Sequence, residues 1–336
     1  MHPSAIVTTN RLSSPALIAL STLAFAAFGC SSSSSGNNAG GTDTGGVQAD
    51  TGTGGADTGG DETPTEEDCS EAVEDRPPLS ACVRHVTGSA VDPSGKPLAD
   101  LVISVCGGVC YFSKTGADGT FDAHIGRFIN HTQFSVLIHG RPKYASLYDT
   151  LPAPKSGDLI TITTPIVVPL YDAIGKALPD DGSPAGSDTA GPVTVSWPAG
   201  TEFELDVEDV ADTTTGRMLK SAKWADLTKV PTFATGKSLL ALYGLAPFDM
   251  KVCTTRPCDD TNLVKLSITL ANETGLPAGT AVELVVLDTN LFGIPFTAGT
   301  GKVAATGTVS ADGKTITTDA GQGLTSLTWI GVRKKG

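Results

Sequence analysis

Seven cysteines carry the most constrained chemistry in this chain of 336 residues: Cys30, Cys69, Cys82, Cys106, Cys110, Cys253 and Cys258. An odd number leaves one thiol over when the others pair, and in an oxidising compartment that thiol needs another fate. If Cys30, between Gly29 and five serines, is the one set aside, six remain and can pair, with Cys69 and Cys82, Cys106 and Cys110, and Cys253 and Cys258 as near neighbours; the alternative for Cys30 is a free thiol or an intermolecular disulfide. Five extended residues would hold Cys106 and Cys110 about 13 Å apart, yet a disulfide needs about 5.5 Å. The chain must turn there, and Gly107 and Gly108 permit it; the alternative, a zinc pair, lacks a second pair of matching spacing nearby.

Carboxylates offer a second chemistry. Thr201, Phe203, Leu205 and Val207 alternate with Glu202, Glu204, Asp206 and Glu208, so a strand here puts four acids on one face. Such a ladder suits calcium or a cationic ligand. It equally suits a solvated sheet face relieved by lysines on the next strand. No looped Asp-x-Asp-x-Asp-Gly accompanies it, so the solvated face is the reading and no metal is expected.

Other motifs lose their chemistry in context. Asp-Thr-Gly at Asp43, Asp50 and Asp57 resembles a protease loop but repeats every seven residues among Gly, Thr and Ala, which is low complexity and not a rigid carboxylate dyad. Pro231 to Ser238 resembles a phosphate loop with proline at its first glycine, where backbone N–H groups would have to wrap. His85, His124, His131 and His139 share no spacing and read as ordinary strand or loop residues. There is no Gly-x-Ser-x-Gly and no His-Glu-x-x-His; a glycosidase pair of carboxylates would show only in a pocket. The expectation is no enzyme and no cofactor. Trp197, Trp224 and Trp329 are few platforms for stacking sugars, and Trp197 and Trp329 lie in alternating, core-like strands.

The segments that position these residues begin with Pro15 to Phe28, an apolar run of 14 residues behind the single base Arg11. A membrane-crossing helix needs about 20 apolar residues, so residues 1–29 read as a secretory signal peptide. Two cleavage readings compete. Ala24-Phe25-Ala26 fits ordinary signal peptidase and a soluble product. Ala27-Phe28-Gly29-Cys30 resembles the bacterial lipobox, in which the cysteine takes diacylglycerol on sulfur and becomes the new N-terminus. That resemblance implies lipidation at Cys30 and leaves six cysteines, an even number. Attached acyl chains contribute about 0.8 kcal/mol per buried methylene, and two or more hold firmly.

Residues 30–68 form the expected tether. It carries eight acids, no base and almost no apolar residue, so it cannot offset its ordering entropy and is expected to be disordered. A flexible chain of that length spans roughly 35 Å. Removing those eight acids and Arg11 from the chain's 36 acids and 23 bases leaves 28 against 22 from Cys69 onward. That mild acidity speaks against nucleic acid as a partner and against adhesion to anionic lipid by charge alone.

From Cys69 the composition becomes that of a folded all-β protein. Val86 to Val91 reads as a strand, Asp92-Pro93-Ser94-Gly95 as a turn, Leu98 to Cys106 as a second strand, and Ala117-Asp118-Gly119-Thr120 as a turn into Phe121. Gly88-Ser89-Ala90-Val91, Asp92 to Gly95, Pro97-Leu98, Val102 to Val105 and Asp118-Gly119-Thr120-Phe121 together resemble the carboxypeptidase regulatory-like domain. That resemblance implies a transthyretin-like β-sandwich reaching roughly Leu170, in an extracellular role and without the enzyme's zinc motif. Residues 69–177 are assigned to this sandwich, with Phe134 to His139 and Leu159 to Leu170 as later strands. Residues 178–191, rich in Pro, Gly, Asp and Ser, read as a linker.

Residues 192–336 read as a second β-rich domain. Arg217 to Leu227 has helical spacing, while Leu239 to Tyr243, Phe248 to Val252, Val264 to Leu270, Val282 to Leu287 and Leu324 to Val332 read as strands, with a hairpin at Asp312-Gly313. Leu276 to Val282, Ser310 to Gly313, Thr318 to Gly321 and Trp329 are similar to ZU5-like modules of bacterial surface proteins, which implies assembly or adhesion.

Taken together, the chain reads as two β-sandwich domains in tandem behind a disordered tether. It is expected at the bacterial cell envelope, lipid-anchored in the outer membrane, as a binding, adhesion or scaffold module. Its partners would be the membrane and an unidentified envelope or extracellular protein or glycan. The alternatives are a soluble exported binding protein, for carbohydrate among other ligands, and a hydrolase.

Overall fold

The computed structural model describes residues 68–336 except 108, 131–133, 154, 156–157, 181, 183 and 292–296. The signal peptide, Cys30, the tether up to residue 67 and His131 lie outside the described residues. The fold is all-β, as expected, with one short α-helix among the described residues.

The first half contains β1 (Ser80–Val91), β2 (Val102–Cys106), β3 (Cys110–Lys114), β4 (Thr120–Asn130), β5 (Ser135–His139), β6 (Leu147–Thr150), β7 (Asp158–Thr161) and β8 (Ile166–Val167). One sheet runs β4-β1-β7, with β8 also paired to β1, and the other runs β3-β2-β5-β6. Alternation sets the inner faces. Along β4, Phe121, Ala123 and Ile125 are buried while Thr120, Asp122 and His124 point outward. The Asp92–Gly95 turn forms with Gly95 at φ 85°, its Asp92 carboxylate accepting from the Ser94 and Lys96 amides. Gly119 is obligatory in the next turn, since a Cβ there would sit 2.6 Å from the Ala90 carbonyl oxygen.

The second half contains β9 (Ala173–Ala177), β10 (Gly186–Ala190), β11 (Val193–Trp197), β12 (Glu202–Glu204), α1 (Val207–Ala211), β13 (Met218–Lys223), β14 (Ala241–Ala246), β15 (Met250–Cys253), β16 (Ser267–Ala271), β17 (Ala281–Leu287), β18 (Gly301–Val309), β19 (Thr315–Thr318), β20 (Ser326–Leu327) and β21 (Trp329–Lys334). A ten-stranded sheet runs β10-β11-β16-β19-β18-β17-β21-β14-β13-β9, and a small one runs β12-β15-β20.

Three sequence expectations need correction. Residues 178–191 are more than a linker: Leu178 is buried, and Gly186–Ala190 is the edge strand β10, paired with β11. Its polar composition is that of an edge, where outward Ser and Thr side chains suit solvent. The first domain's assigned end, 173–177, is likewise β9 of the large sheet, paired with β13. Arg217 to Leu227 forms no helix; Leu219, Ser221 and Ala222 are fully buried in β13, between β14 and β9, so packing overrides helical spacing. Pro231 to Ser238, the phosphate-loop lookalike, folds as a single 3₁₀ turn that buries Phe233 and Ala234.

All six described cysteines pair as their spacing suggests, with Cα–Cα distances of 5.7 Å for Cys69–Cys82, 4.1 Å for Cys106–Cys110 and 5.3 Å for Cys253–Cys258. Cys106 and Cys110 are register partners that close the β2–β3 hairpin.

The two halves share a core. Trp329 of β21 has no exposed surface and lies in one cluster with Val83, Ile103, Phe134 and Leu147 of the first half and Trp224, Phe233 and Phe248 of the second. Its indole N–H donates to the Ser146 carbonyl at 2.8 Å, and Trp224 meets it edge-on at 5.6 Å. Residue 244 must be glycine, because a Cβ would lie 2.8 Å from the indole and 2.9 Å from Ala145. Trp329→Ala should cost about 3–5 kcal/mol and lower a single calorimetric transition. A second transition left at the wild-type temperature would mean that the halves melt independently.

Candidate functional site

The acidic ladder breaks after Glu204. β12 is only three residues long, and the chain then enters α1 with Asp206 as an extended N-cap and Glu208 and Asp209 in the first turn. Carboxylates at a helix start complement its unpaired N–H groups and dipole. Val207, expected to face inward, is 76% exposed. An Asp followed three residues later by another acid was the readable signal for this cap.

The ladder acids therefore meet two different sets of partners. Glu202 Oε2 lies 3.5 Å from Arg256 Nε, and Glu204, opposite Lys251, accepts the Cys258 amide at 2.7 Å. Asp206 and Glu208 both reach Arg141, each at 3.2 Å, and Glu208 also meets His139 Nδ1 at 2.7 Å. Glu202 and Glu204 flank buried Phe203 on one side of β12, while Asp206 and Glu208 leave that face with the start of α1, so the four acids do not form one continuous ladder.

Arg141 is a node that the sequence did not reveal. Its side chain is 10% exposed, packed among Asp206, Glu208 and Asp209, and donates to the Phe248 carbonyl at 3.0 Å. Burial pushes the Asp209 carboxyl up from 3.8 to about 6, against the pull of Arg141. Lys220, also buried, donates to the Pro142 carbonyl and the Thr215 hydroxyl, each at 3.0 Å. These charges join β5's exit loop to α1 and β13. Asp209 is buried with Arg141, and breaking a buried pair typically costs about 3–5 kcal/mol, whereas Asp206 and Glu208 keep more than a third of their side-chain surface in solvent.

Among the clefts lined by described residues, one of about 740 Å³ lies at the seam of the halves, lined by Asp92, Ser94, Lys96, Lys143, Tyr144, Leu170, Asp172 and Lys223. The Asp92 turn of the first sandwich forms one wall and the start of the large sheet the other. Tyr144, half-buried, is fixed by its amide bond to the Gly140 carbonyl at 2.6 Å and by a bridge to Leu170. Lys143 Nζ stands 5.0 Å from its ring. The Ser94 hydroxyl holds Asp92 below the usual carboxylate range, so the wall is ionised. An aromatic face rimmed by ammonium and carboxylate groups can stack on an apolar ligand face while hydrogen-bonding its edges.

A second cleft, about 560 Å³, is lined by Asp249, Lys251, Asp259, Asp260, Asp288 and Lys302 among others. Lys302 Nζ lies 2.8 Å from Asp288. Asp249 accepts the Thr289 hydroxyl at 2.5 Å, and burial pushes its carboxyl up from 3.8 to about 6. Leu263 and Leu291 also line this cleft, and it has no aromatic side chain among its described lining.

No protein-family model matches the chain, and no curated protein matches it. Among solved structures it is similar to a candidate carbohydrate-binding protein from Bacteroides uniformis ATCC 8492, at 10% identity over 75% of this chain and 98% of that one, with a TM-score of 0.20. A score that low carries no weight for fold or function.

A carboxyl with a raised folded-state pKa keeps its proton more tightly when folded, so its ionisation lowers stability as pH climbs from about 4 to about 6. Asp249→Asn keeps the volume and an acceptor for Thr289. It should be more stable than wild type at pH 7, by at most about 3 kcal/mol, and nearly equal at pH 4 in urea melts. Equal differences at both pH values would rule out burial of the charge as the cause.

Proposed function

We propose that this chain is a lipid-anchored protein of the bacterial cell envelope, acting as a non-enzymatic binding module with the seam cleft around Tyr144 as its ligand site. One observation carries the reading: the six described cysteines pair with one another, so Cys30 stands outside the three disulfides. Three disulfides suit an oxidising compartment, and a lone cysteine after Gly29 suits lipid on its sulfur. The resemblances to carboxypeptidase regulatory-like and ZU5-like modules support presentation or adhesion over catalysis.

The cleft favours a glycan as the ligand. Tyr144 offers a ring face, and Asp92, Lys96, Lys143 and Asp172 offer donors and acceptors around it. The same cleft would serve a soluble exported glycan-binding protein, so the anchor and the ligand require separate tests.

Fractionation of cells expressing the full chain tests the anchor. The wild type should sediment with membranes and Cys30→Ser should appear in the soluble fraction; an unchanged membrane fraction in the variant removes the anchor. Co-sedimentation with envelope polysaccharide tests the ligand. Tyr144→Ala should weaken retention about tenfold, as loss of a stacking contact implies, and full retention would place the ligand elsewhere.

A further inference from the structure

Where the described chain begins, side chains with metal-ligating chemistry meet on the outer face of the β1–β4 pair. His85 and His124 are register partners, although nothing in their spacing ties them together. The register shifts between Val83 and His85, a bulge that sets His85 opposite His124. Their rings stack at 4.9 Å with 28° between planes. Each is clasped by a carboxylate: His85 Nδ1 lies 2.8 Å from Asp122 Oδ1, and His124 Nε2 lies 3.0 Å from Asp68 Oδ1.

Asp68 is the unusual member. Its side chain is only 7% exposed, and its second oxygen is buried without a hydrogen-bond partner. A buried carboxylate oxygen without a donor is costly and calls for an explanation. Three devices nevertheless hold it there. Cys69 is bonded to Cys82 of β1, and its amide donates to the Gly126 carbonyl at 2.8 Å. Gly126, at φ 59°, leaves the room: a Cβ would stand 2.5 Å from Asp68 Oδ1 and 3.2 Å from His124 Nε2.

We propose that Asp68, His85 and His124 bind a divalent cation of zinc's class, with Asp122 as the positioning residue for His85. Two imidazoles and one carboxylate suit zinc, copper or nickel over calcium or magnesium. The Asp122 carboxylate on Nδ1 presents His85 Nε2 as the free ligand atom, the arrangement in which a carboxylate orients a metal-bound histidine. Among the described residues no three such groups converge as the side chains stand. Ligand atoms about 2.0–2.2 Å from a tetrahedral ion lie roughly 3.4 Å apart, so in the proposed bound state His124 Nε2 and Asp68 Oδ1 part slightly from their 3.0 Å. The His85 ring turns about its side-chain bonds, on backbone already in register, and the exposed Asp122 side chain follows it and keeps Nδ1. His124 is 54% exposed, which gives the ion a path from solvent. The bound cation would fasten residue 68, where the chain joins the sandwich, to both β1 and β4.

Zinc sulfate titrated into the full chain, purified without a histidine tag and stripped of metal, tests this against a chromophoric chelator. The wild type should bind one equivalent. His124→Ala and Asp68→Asn should weaken it by about a hundredfold and Asp122→Asn by about tenfold, while His131→Ala retains full affinity. A second readout guards against misfolded variants: zinc should raise the melting temperature of the wild type but not of His85→Ala, with each variant's zinc-free melt confirming a folded chain. A wild type that takes up no zinc, or a His85→Ala/His124→Ala chain that still binds one equivalent with wild-type affinity, overturns the proposal.

Discussion

One fully buried indole holds this molecule to a single design. Trp329, the first of the six residues of β21, is packed among side chains that belong to the first sandwich. Dense packing of this kind tolerates little change in volume, and the neighbours show it: residue 244 has no space for a Cβ, and Trp224 and Phe233 press against the same ring. The halves therefore meet through apolar contact and not by a loose hinge. The sheet that carries the indole is the ten-stranded one, so its register reaches the seam directly.

Around that apolar contact the seam is polar in two different ways. On one side Arg141 and Asp209 are buried together, with Asp206 and Glu208 reaching in from the half-exposed start of α1. On another, the Tyr144 cleft leaves its lysines and aspartates within reach of solvent. The same sequence region, 139–144, supplies both.

Local patterns made much of the fold legible. Alternation and Asp-Gly turns identified strands and hairpins, and cysteine spacing offered the neighbours that pair without fixing their connectivity, because each depends on residues close in sequence. What failed was non-local. The ladder at 202–208 alternates as a strand should, yet Asp206 and Asp209 start a helix there, and Arg141, distant in sequence, is what their carboxylates meet. The helical spacing at 217–227 gave way to a slot between two neighbouring strands. The pairing of His85 with His124 depends on a bulge that no periodicity announces, and Tyr144 shows no sign of a cleft until the Asp92 turn folds against it. Shared packing between the halves was likewise hidden, since Gly- and Ser-rich composition reads as a linker even where it forms an edge strand.

The Cys69–Cys82 bridge has a mechanical consequence. Any pull transmitted along the chain from residue 67 reaches the body at Asp68 and passes within one residue to a covalent bond on β1. β1 lies between β4 and β7 and carries β8 as well, so the load spreads into the middle of a sheet. Peeling would have to begin at a frayed strand end held by hydrogen bonds alone, and the disulfide removes that weak point. The folded body can thus be tugged by its N-terminal side without unzipping from it.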